Sequence, residues 1–255
     1  RKKVNLSPWK KITHSVLKNK NKVNIGIIGK YVELKDAYKS LDEALTHGGI
    51  ANNLKVNLIR IDSDFLKPKD IKHKLKNVSG VLIPGGFGKR GTEGKIAAIN
   101  FARKKLIPFL GICFGMQMAV IEFARNELNI KKATSSEFGP SKASVVGLMS
   151  EWLKDGKKMK GTDKELGGTM RLGSYEAKLK KRSLISNIYN SVKINERHRH
   201  RYEVNINFKD EFEKKGMIFS GLSPDSKLPE IIELNNHPWF IGVQFHPEFK
   251  SRPLA

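Results

Sequence analysis

The stretch Gly111-Ile112-Cys113-Phe114-Gly115 constrains this chain more than any other five residues. Pro108 is followed by the apolar Phe109 and Leu110, which read as the end of a buried strand. From Phe114 to about Leu128, Met116, Met118, Ala119, Ile121, Phe123, Ala124 and Leu128 give the pattern of a mostly buried helix. Cys113 therefore stands at an abrupt strand-to-helix turn. Such a turn needs glycine where side chains would collide, and Gly111 and Gly115 lie two positions either side of the cysteine. Gly-x-Cys-x-Gly is the thiol form of the nucleophile elbow. At a helix N-terminus the partial positive charge favours thiolate over thiol, which suits the sulfur to acyl transfer. A lone cysteine is more often a small buried apolar residue, so the rest of the chain has to decide.

Upstream, Val23 to Gly29 reads as an apolar strand ending in glycine, and Asp36 to about Asn53 has helical spacing. Lys55–Ile61 alternates as a second strand and Val81–Ile83 forms a third. Ile96–Leu106 follows as a helix and Ile107–Ile112 as a fourth strand. Strands alternating with helices predict an α/β fold whose central, mostly parallel sheet is flanked by helices. In such sheets sites gather at the carboxyl ends of the strands, where Cys113 is expected. After Lys131 the rhythm weakens into short strands and loops, predicting a smaller antiparallel sheet region toward the C-terminus.

Pro84-Gly85-Gly86-Phe87-Gly88-Lys89-Arg90-Gly91 follows the third strand without the Gly-Lys-Ser/Thr ending of a phosphate loop. Paired glycines there can aim a bare backbone N–H at a neighbouring site. Acyl transfer develops a negative oxygen that two backbone donors can hold, and Gly86 and Phe114 are the expected donors. Gly167 to Gly173, with glycines at both ends and Arg171 within, predicts a flexible flap. If Glu196 to Val204 is one strand, His198, His200 and Tyr202 share a face and three arginines the other. Those arginines argue against a metal and for recognition of a substrate carboxylate. Near the C-terminus, Glu230–Leu234, a turn at 235–238 and Trp239 onward predict a hairpin whose second strand ends at His246. Residues two apart on a strand point the same way, so Glu248 is expected to hold one ring nitrogen of His246 while the other faces the nucleophile.

Composition narrows the class. The 255 residues are 39% hydrophobic, enough for a substantial core, and one cysteine permits no internal disulfide. No apolar run reaches membrane-span length, so a cytoplasmic protein without membrane contact is expected. The net charge of +23 invites a nucleic-acid interpretation, but the lysines are spread along the chain and no binding motif accompanies them. Residues 1–22 carry basic and no acidic side chains, and the first residue is not methionine; a basic linker is expected there, ahead of a folded unit at 23–255.

Gly-Ile-Cys-Phe-Gly-Met-Gln, the Pro-Gly-Gly strand end and Phe-His-Pro-Glu together resemble the class I glutamine amidotransferases. The stretch from Gly29-Lys30-Tyr31 to Ser40, Gly-Gly-Thr-Met-Arg-Leu-Gly and Glu-Arg-His-Arg-His-Arg-Tyr-Glu-Val-Asn are similar, more narrowly, to the glutaminase domains of the CTP synthase family. Phe114 departs from the usual leucine, at a position where only the backbone is used. The resemblance implies a triad of Cys113, His246 and Glu248 acting on L-glutamine. Gly86, Phe114, Gly115, Met116 and Gln117 would line the site, Glu137 would hold the α-amino group and Arg201 the α-carboxylate. It implies no cofactor in this part of the chain. ATP, Mg2+ and UTP would belong to an N-terminal amidoligase domain of a homotetramer, and GTP would be an activator coupled through Arg171. Two alternatives compete: another Cys-His-Glu hydrolase such as a γ-glutamyl hydrolase, and a non-catalytic basic binding module.

Overall fold

The computed structural model describes residues 4–18, 21–148, 151–154, 157–160 and 170–253. The elements run α1 (Ser7–Lys18), β1 (Lys22–Gly29), α2 (Lys39–Ala51), β2 (Lys55–Asp62), α3 (Ile71–Lys74), β3 (Gly80–Ile83), α4 (Thr92–Lys104), β4 (Phe109–Ile112) and α5 (Phe114–Asn126). Then follow β5 (Thr134–Ser135), β6 (Ser144–Leu148), β7 (Glu151–Lys154), β8 (Lys157–Lys160), β9 (Arg171–Leu179), α6 (Leu184–Tyr189) and β10 (Lys193–His200). The chain closes with β11 (Tyr202–Val204), α7 (Lys209–Lys214), β12 (Met217–Leu222), β13 (Pro229–Leu234) and β14 (Phe240–Val243).

A nine-stranded sheet, ordered β10-β9-β12-β13-β14-β4-β3-β1-β2, organises the fold. The five strands from β14 to β2 pair in parallel, as the alternation of strands and helices predicts. From β14 outward the pairing is antiparallel, so the C-terminal strands extend the parallel sheet. β11-β6-β5 and β7-β8 form two small sheets beside it. Both faces of the main sheet are covered, which is why its central strands are apolar throughout. Ile27 and Ile28, adjacent in β1 and both fully buried, enter different clusters: that of Ile28 includes α4 and α5 residues, that of Ile27 includes Leu41 of α2 and Ile185 of α6. Each such side chain contributes about 1.5–3 kcal/mol relative to exposure.

Register decides where chemistry can occur. Gly111 of β4 sits opposite both Ile83 of β3 and Gly242 of β14, so these three neighbouring strands end together. Pro84-Gly85-Gly86, Cys113 and Gln244-Phe245-His246 consequently emerge side by side.

Several local expectations need correction. The helix expected from Asp36 begins as a 3-10 turn, Lys35–Tyr38, because the Tyr38 hydroxyl accepts the N–H groups of Lys30 and Tyr31 and pins that turn to the end of β1. The strand expected over 196–204 breaks at Arg201: β10 stays in the main sheet, whereas Tyr202 starts β11 and pairs with β6. Tyr202 thus leaves the face shared by His198 and His200. Arg171 is not part of a flap; it opens β9 opposite His200, while 167–169 lie outside the described residues. The basic N-terminal stretch includes α1, a helix with no buried residue and with Trp9 exposed. No described helix is long and apolar enough to cross a membrane.

The close approach of α5 to the sheet yields a test. A Cβ on Gly115 would lie 2.2 Å from the Ile83 carbonyl oxygen, and one on Gly111 2.7 Å from the Gly115 carbonyl carbon. Neither neighbour is a side chain that can swing away. Gly115→Ala should therefore cost about 1–3 kcal/mol, or on the order of 5 °C in Tm for a chain of this size. Thermal unfolding checks this; an unchanged Tm would show that the helix is free to lift off β3.

Candidate active site

Cys113 occupies the elbow with φ 52° and ψ −102°, a conformation costly for a residue with a side chain. It is held there because its N–H donates to the Val243 carbonyl at 2.7 Å while the following residue already belongs to α5. The side chain is 2% exposed. Phe114, the first helical residue, has one of the N–H groups that a helix leaves without an internal partner.

His246 was expected on the strand with Glu248 two residues further along the same face. Instead β14 stops at Val243, and Pro247–Phe249 is a 3-10 turn that curls Glu248 back onto the ring. The pair forms all the same: Nδ1 lies 2.7 Å from Glu248 Oε1. The His246 N–H donates to the Arg197 carbonyl at 2.8 Å, and the imidazole stacks on Phe249 at 4.9 Å and 15°. On another side the ring abuts Gly85, where a Cβ would come within 2.7 Å of Cε1. With Nδ1 taken by Glu248, the other ring nitrogen is left to contact the Cys113 thiol. Burial disfavours a charged imidazole, but hydrogen bonds to Cys113 and Glu248, and their negative charge, outweigh it and push His246 up to about 10.

Gly86 lies beside Phe114: a Cβ at Gly86 would meet only Phe114 Cδ1 and Lys30 Cε, each at 3.9 Å. The two residues expected to supply the donors are thus neighbours. Lys30, buried at the end of β1, donates to the Phe87 and Gly88 carbonyls and lies 5.8 Å from the Phe114 ring centre. The Gly88 N–H donates to Glu137 Oε1 at 2.6 Å. Lys30 and Glu137 therefore clamp the peptide that follows Gly86 from opposite sides. Burial raises the Glu137 carboxyl against the opposing effects of the Gly88 amide and Lys30, and burial lowers the Lys30 ammonium.

Met116 is fully buried in the main core, so only its backbone can face a ligand, whereas the Gln117 amide is held by the Tyr202 carbonyl at 2.9 Å and by Gln244. Arg201, half-buried at the bend between β10 and β11, has a buried Nε without a hydrogen-bond partner. A cavity of about 320 Å³ opens against Gly85, Gly86, Phe87, Arg199, His246 and Glu248. A larger one, about 890 Å³ between the end of β2 and α4, touches neither Cys113 nor His246.

Arg171 is 2% exposed and ion-pairs with Glu230 at 2.7 Å and Glu203 at 3.4 Å, its guanidinium 4.4 Å from the Tyr175 ring centre. Both carboxyls are raised by burial, with Arg171 opposing the rise. Beside them His198 Nδ1 lies 2.8 Å from His200 Nε2, and burial holds both rings well below the usual histidine range. The residue expected to couple GTP to a flap is therefore a buried tie between β9, β11 and β13. Sequence reasoning missed this cluster because its partners are scattered along the chain. It also assigned no role to Lys30, whose signal was its place directly after the glycine ending β1.

A sequence profile described as "Glutamine amidotransferase class-I" matches residues 33–255. The chain belongs to the class I glutamine amidotransferases. It is 76% identical over 255 residues to a CTP synthase of Pelagibacter ubique (strain HTCC1062), aligning over 100% of this chain and 47% of that protein. It is 58% identical over 253 residues to a CTP synthase of Rhizobium johnstonii, covering 99% of this chain and 47% of the relative. The chain thus spans about half the length of the curated relatives it matches. Among solved structures, the glutaminase domain of Trypanosoma brucei CTPS with bound acivicin superposes with a TM-score of 0.81 at 34% identity, covering 91% of this chain and 88% of that one. A glutamine amidotransferase from Methylobacillus flagellatus, at 13% identity and a TM-score of 0.53, shares the fold; that alignment covers 88% of this chain and 70% of the other.

The raised His246 has a sign that can be checked. A group whose folded value lies above its unfolded value, near 6.5, stabilises fully below that value and loses the contribution as pH rises toward 10. Glu248→Gln removes the carboxylate responsible for part of the rise. The Tm gap between wild type and Glu248→Gln should therefore be widest near pH 6 and close toward pH 10. A gap constant over that range would contradict the ion pair.

Proposed function

We propose that this chain is the glutaminase part of a CTP synthase, hydrolysing L-glutamine through a cysteine thioester and passing ammonia to a synthetase domain. The observation that carries this is the joint arrangement of Cys113 on its strained elbow, His246 fixed by Glu248 at 2.7 Å, and Gly86 beside Phe114. The identity to CTP synthases supports the choice of synthetase.

In this mechanism the Cys113 thiolate attacks the side-chain amide carbon of glutamine, and the carbonyl π electrons move to oxygen, where the N–H groups of Gly86 and Phe114 receive the negative charge. The protonated His246 gives its proton to the amide nitrogen as the C–N bond breaks, releasing ammonia and leaving a thioester and a neutral imidazole. His246 then takes a proton from water as its oxygen attacks the thioester. A second oxyanion collapses to the γ-carboxylic acid and the thiolate, restoring the starting charges on Cys113 and His246, and the acid ionises to glutamate on release, its proton available to the freed ammonia. Glu248 keeps Nδ1 engaged throughout, so the other nitrogen handles every proton.

Glutamine enters as a zwitterion and needs one partner of each sign. Arg201, with its unpaired Nε, suits the α-carboxylate, and Glu137, held on the Gly88 amide, suits the α-ammonium. Gly115, Met116 and Gln117 contribute the helix N-terminus that closes the site. In the longer protein the ammonia would aminate UTP in a reaction using ATP and Mg2+, within a homotetramer activated by GTP. The identity to CTP synthases is what supports these partners.

Incubation with a glutamine-analogue electrophile followed by mass spectrometry should give a single adduct on Cys113 and none in Cys113→Ser. Arg201→Ala should raise the half-saturating electrophile concentration roughly 10-fold or more, as loss of a charged hydrogen bond implies, with little change in the limiting labelling rate. Unaltered half-saturation would move the carboxylate partner to another arginine, and label in the Cys113→Ser variant would overturn the nucleophile.

A further inference from the structure

Gln244 lies between β14 and His246 and is fully buried. Its N–H donates to the Glu230 carbonyl at 2.8 Å, which fixes its backbone as an extension of the β13–β14 edge. Its side chain is oriented by a chain of hydrogen bonds with one consistent direction. The Tyr202 carbonyl can only accept, so Gln117 must turn its NH2 group toward it, at 2.9 Å. The same Nε2 reaches Gln244 Oε1 at 3.2 Å, so the oxygen end of Gln244 faces Gln117. The NH2 end of Gln244 is thereby aimed at Cys113, with Nε2 3.7 Å from Sγ.

We propose that Gln244 is a positioning residue that donates a hydrogen bond to the Cys113 sulfur, its orientation imposed from the Tyr202 carbonyl through Gln117. The proposal rests on Cys113 being the nucleophile.

The contact matters because the sulfur has a competing neighbour. The Arg199 carbonyl lies 3.9 Å from Sγ and favours the thiol, which can donate to it, over the thiolate, which its lone pairs repel. Gln244 supplies the opposite preference from a neutral group that keeps its proton at any working pH. His246 supplies a second donor, but one that must surrender its proton during turnover. Gln244 therefore holds the sulfur in place while His246 is neutral. The relay also starts next to Arg201, so seating the substrate carboxylate and orienting the sulfur depend on one bend between β10 and β11.

Further ionisable groups stand on β10 and beyond the end of β14 and must stay constant in any test. His246 with Glu248 stands at the end of β14, and His198 and His200 on β10 are kept neutral by burial. Arg171, Glu203 and Glu230 form the ion-paired cluster behind them.

Cys113 is the chain's single cysteine, so its alkylation by iodoacetamide can be followed without interference. The measurement is the pH profile of that rate in wild type, Gln244→Met and Gln244→Glu, with circular dichroism and Tm as controls. Met matches the shape without a donor, and Glu, once ionised, keeps an acceptor but loses the donor. Both variants should shift the profile's midpoint up by about one pH unit, which leaves roughly a tenth of the thiolate below the midpoint. They should still form the glutamine-analogue adduct, at a lower rate. An unmoved midpoint in a folded variant would overturn the donor role while leaving Cys113 as nucleophile; loss of the adduct from wild type would instead overturn the functional assignment. Should neither variant fold, nitrogen-15 NMR of the wild type decides: the Gln244 side-chain amide should shift with the Cys113 titration and stop doing so after alkylation. A pH-independent amide signal would overturn the proposal.

Discussion

The site depends on the contact between the first turn of α5 and the end of β3. Gly115 lies so near the Ile83 carbonyl that no side chain fits, and Gly111 lies almost as near Gly115. The helix can therefore start immediately at the end of β4, with Cys113 carrying the whole change of direction at a positive φ. A longer connection would relax the cysteine and withdraw its sulfur from the helix N-terminus. The strain is sustained by the buried helix behind it and by the hydrogen bond from Cys113 to Val243. Packing energy from the core is in this way converted into the placement of one sulfur atom.

Parallel pairing carries that placement outward. Because β3, β4 and β14 end in register, three loops of unrelated sequence converge without any side chain having to reach far. The loop after β3 brings glycine, which lets the imidazole of His246 and the ring of Phe114 come close. The loop after β14 brings the histidine and, one 3-10 turn later, its carboxylate. Antiparallel β10 and its bend then close the site from the side, offering the Arg199 carbonyl, Arg201 and the Tyr202 carbonyl. Lys30 and Glu137, of opposite charge, fix the loop between them.

Much of this was legible because it depends on local pattern. Alternating apolar runs disclose the parallel strands, and glycines at two-residue spacing around Cys113 disclose the elbow. The pairing of His246 with Glu248 was foreseen for a local reason that the structure replaces: a 3-10 turn brings the carboxylate round, where a continuing strand had been expected. Arg171 was misplaced because a charge between glycines resembles exposed chain. Its burial is set by Glu203 and Glu230, 32 and 59 positions away, and no local pattern reports them. The break at Arg201 is similarly non-local, since Tyr202 leaves the main sheet to pair with Leu148 of β6. Gln244 and Gln117 look like ordinary buried amides until the Tyr202 carbonyl sets their direction.

The proposed chemistry requires that Cys113 and two backbone N–H groups from separate strand ends form one acyl-transfer site. It is tested most directly by an experimental structure of the chain with a glutamine-analogue ketone bound covalently to Cys113. That structure should show a tetrahedral carbon on Sγ whose oxygen lies about 2.7–3.1 Å from both the Gly86 and the Phe114 nitrogen atoms. An adduct oxygen directed to solvent, or bound by side chains with neither backbone nitrogen within reach, would contradict it.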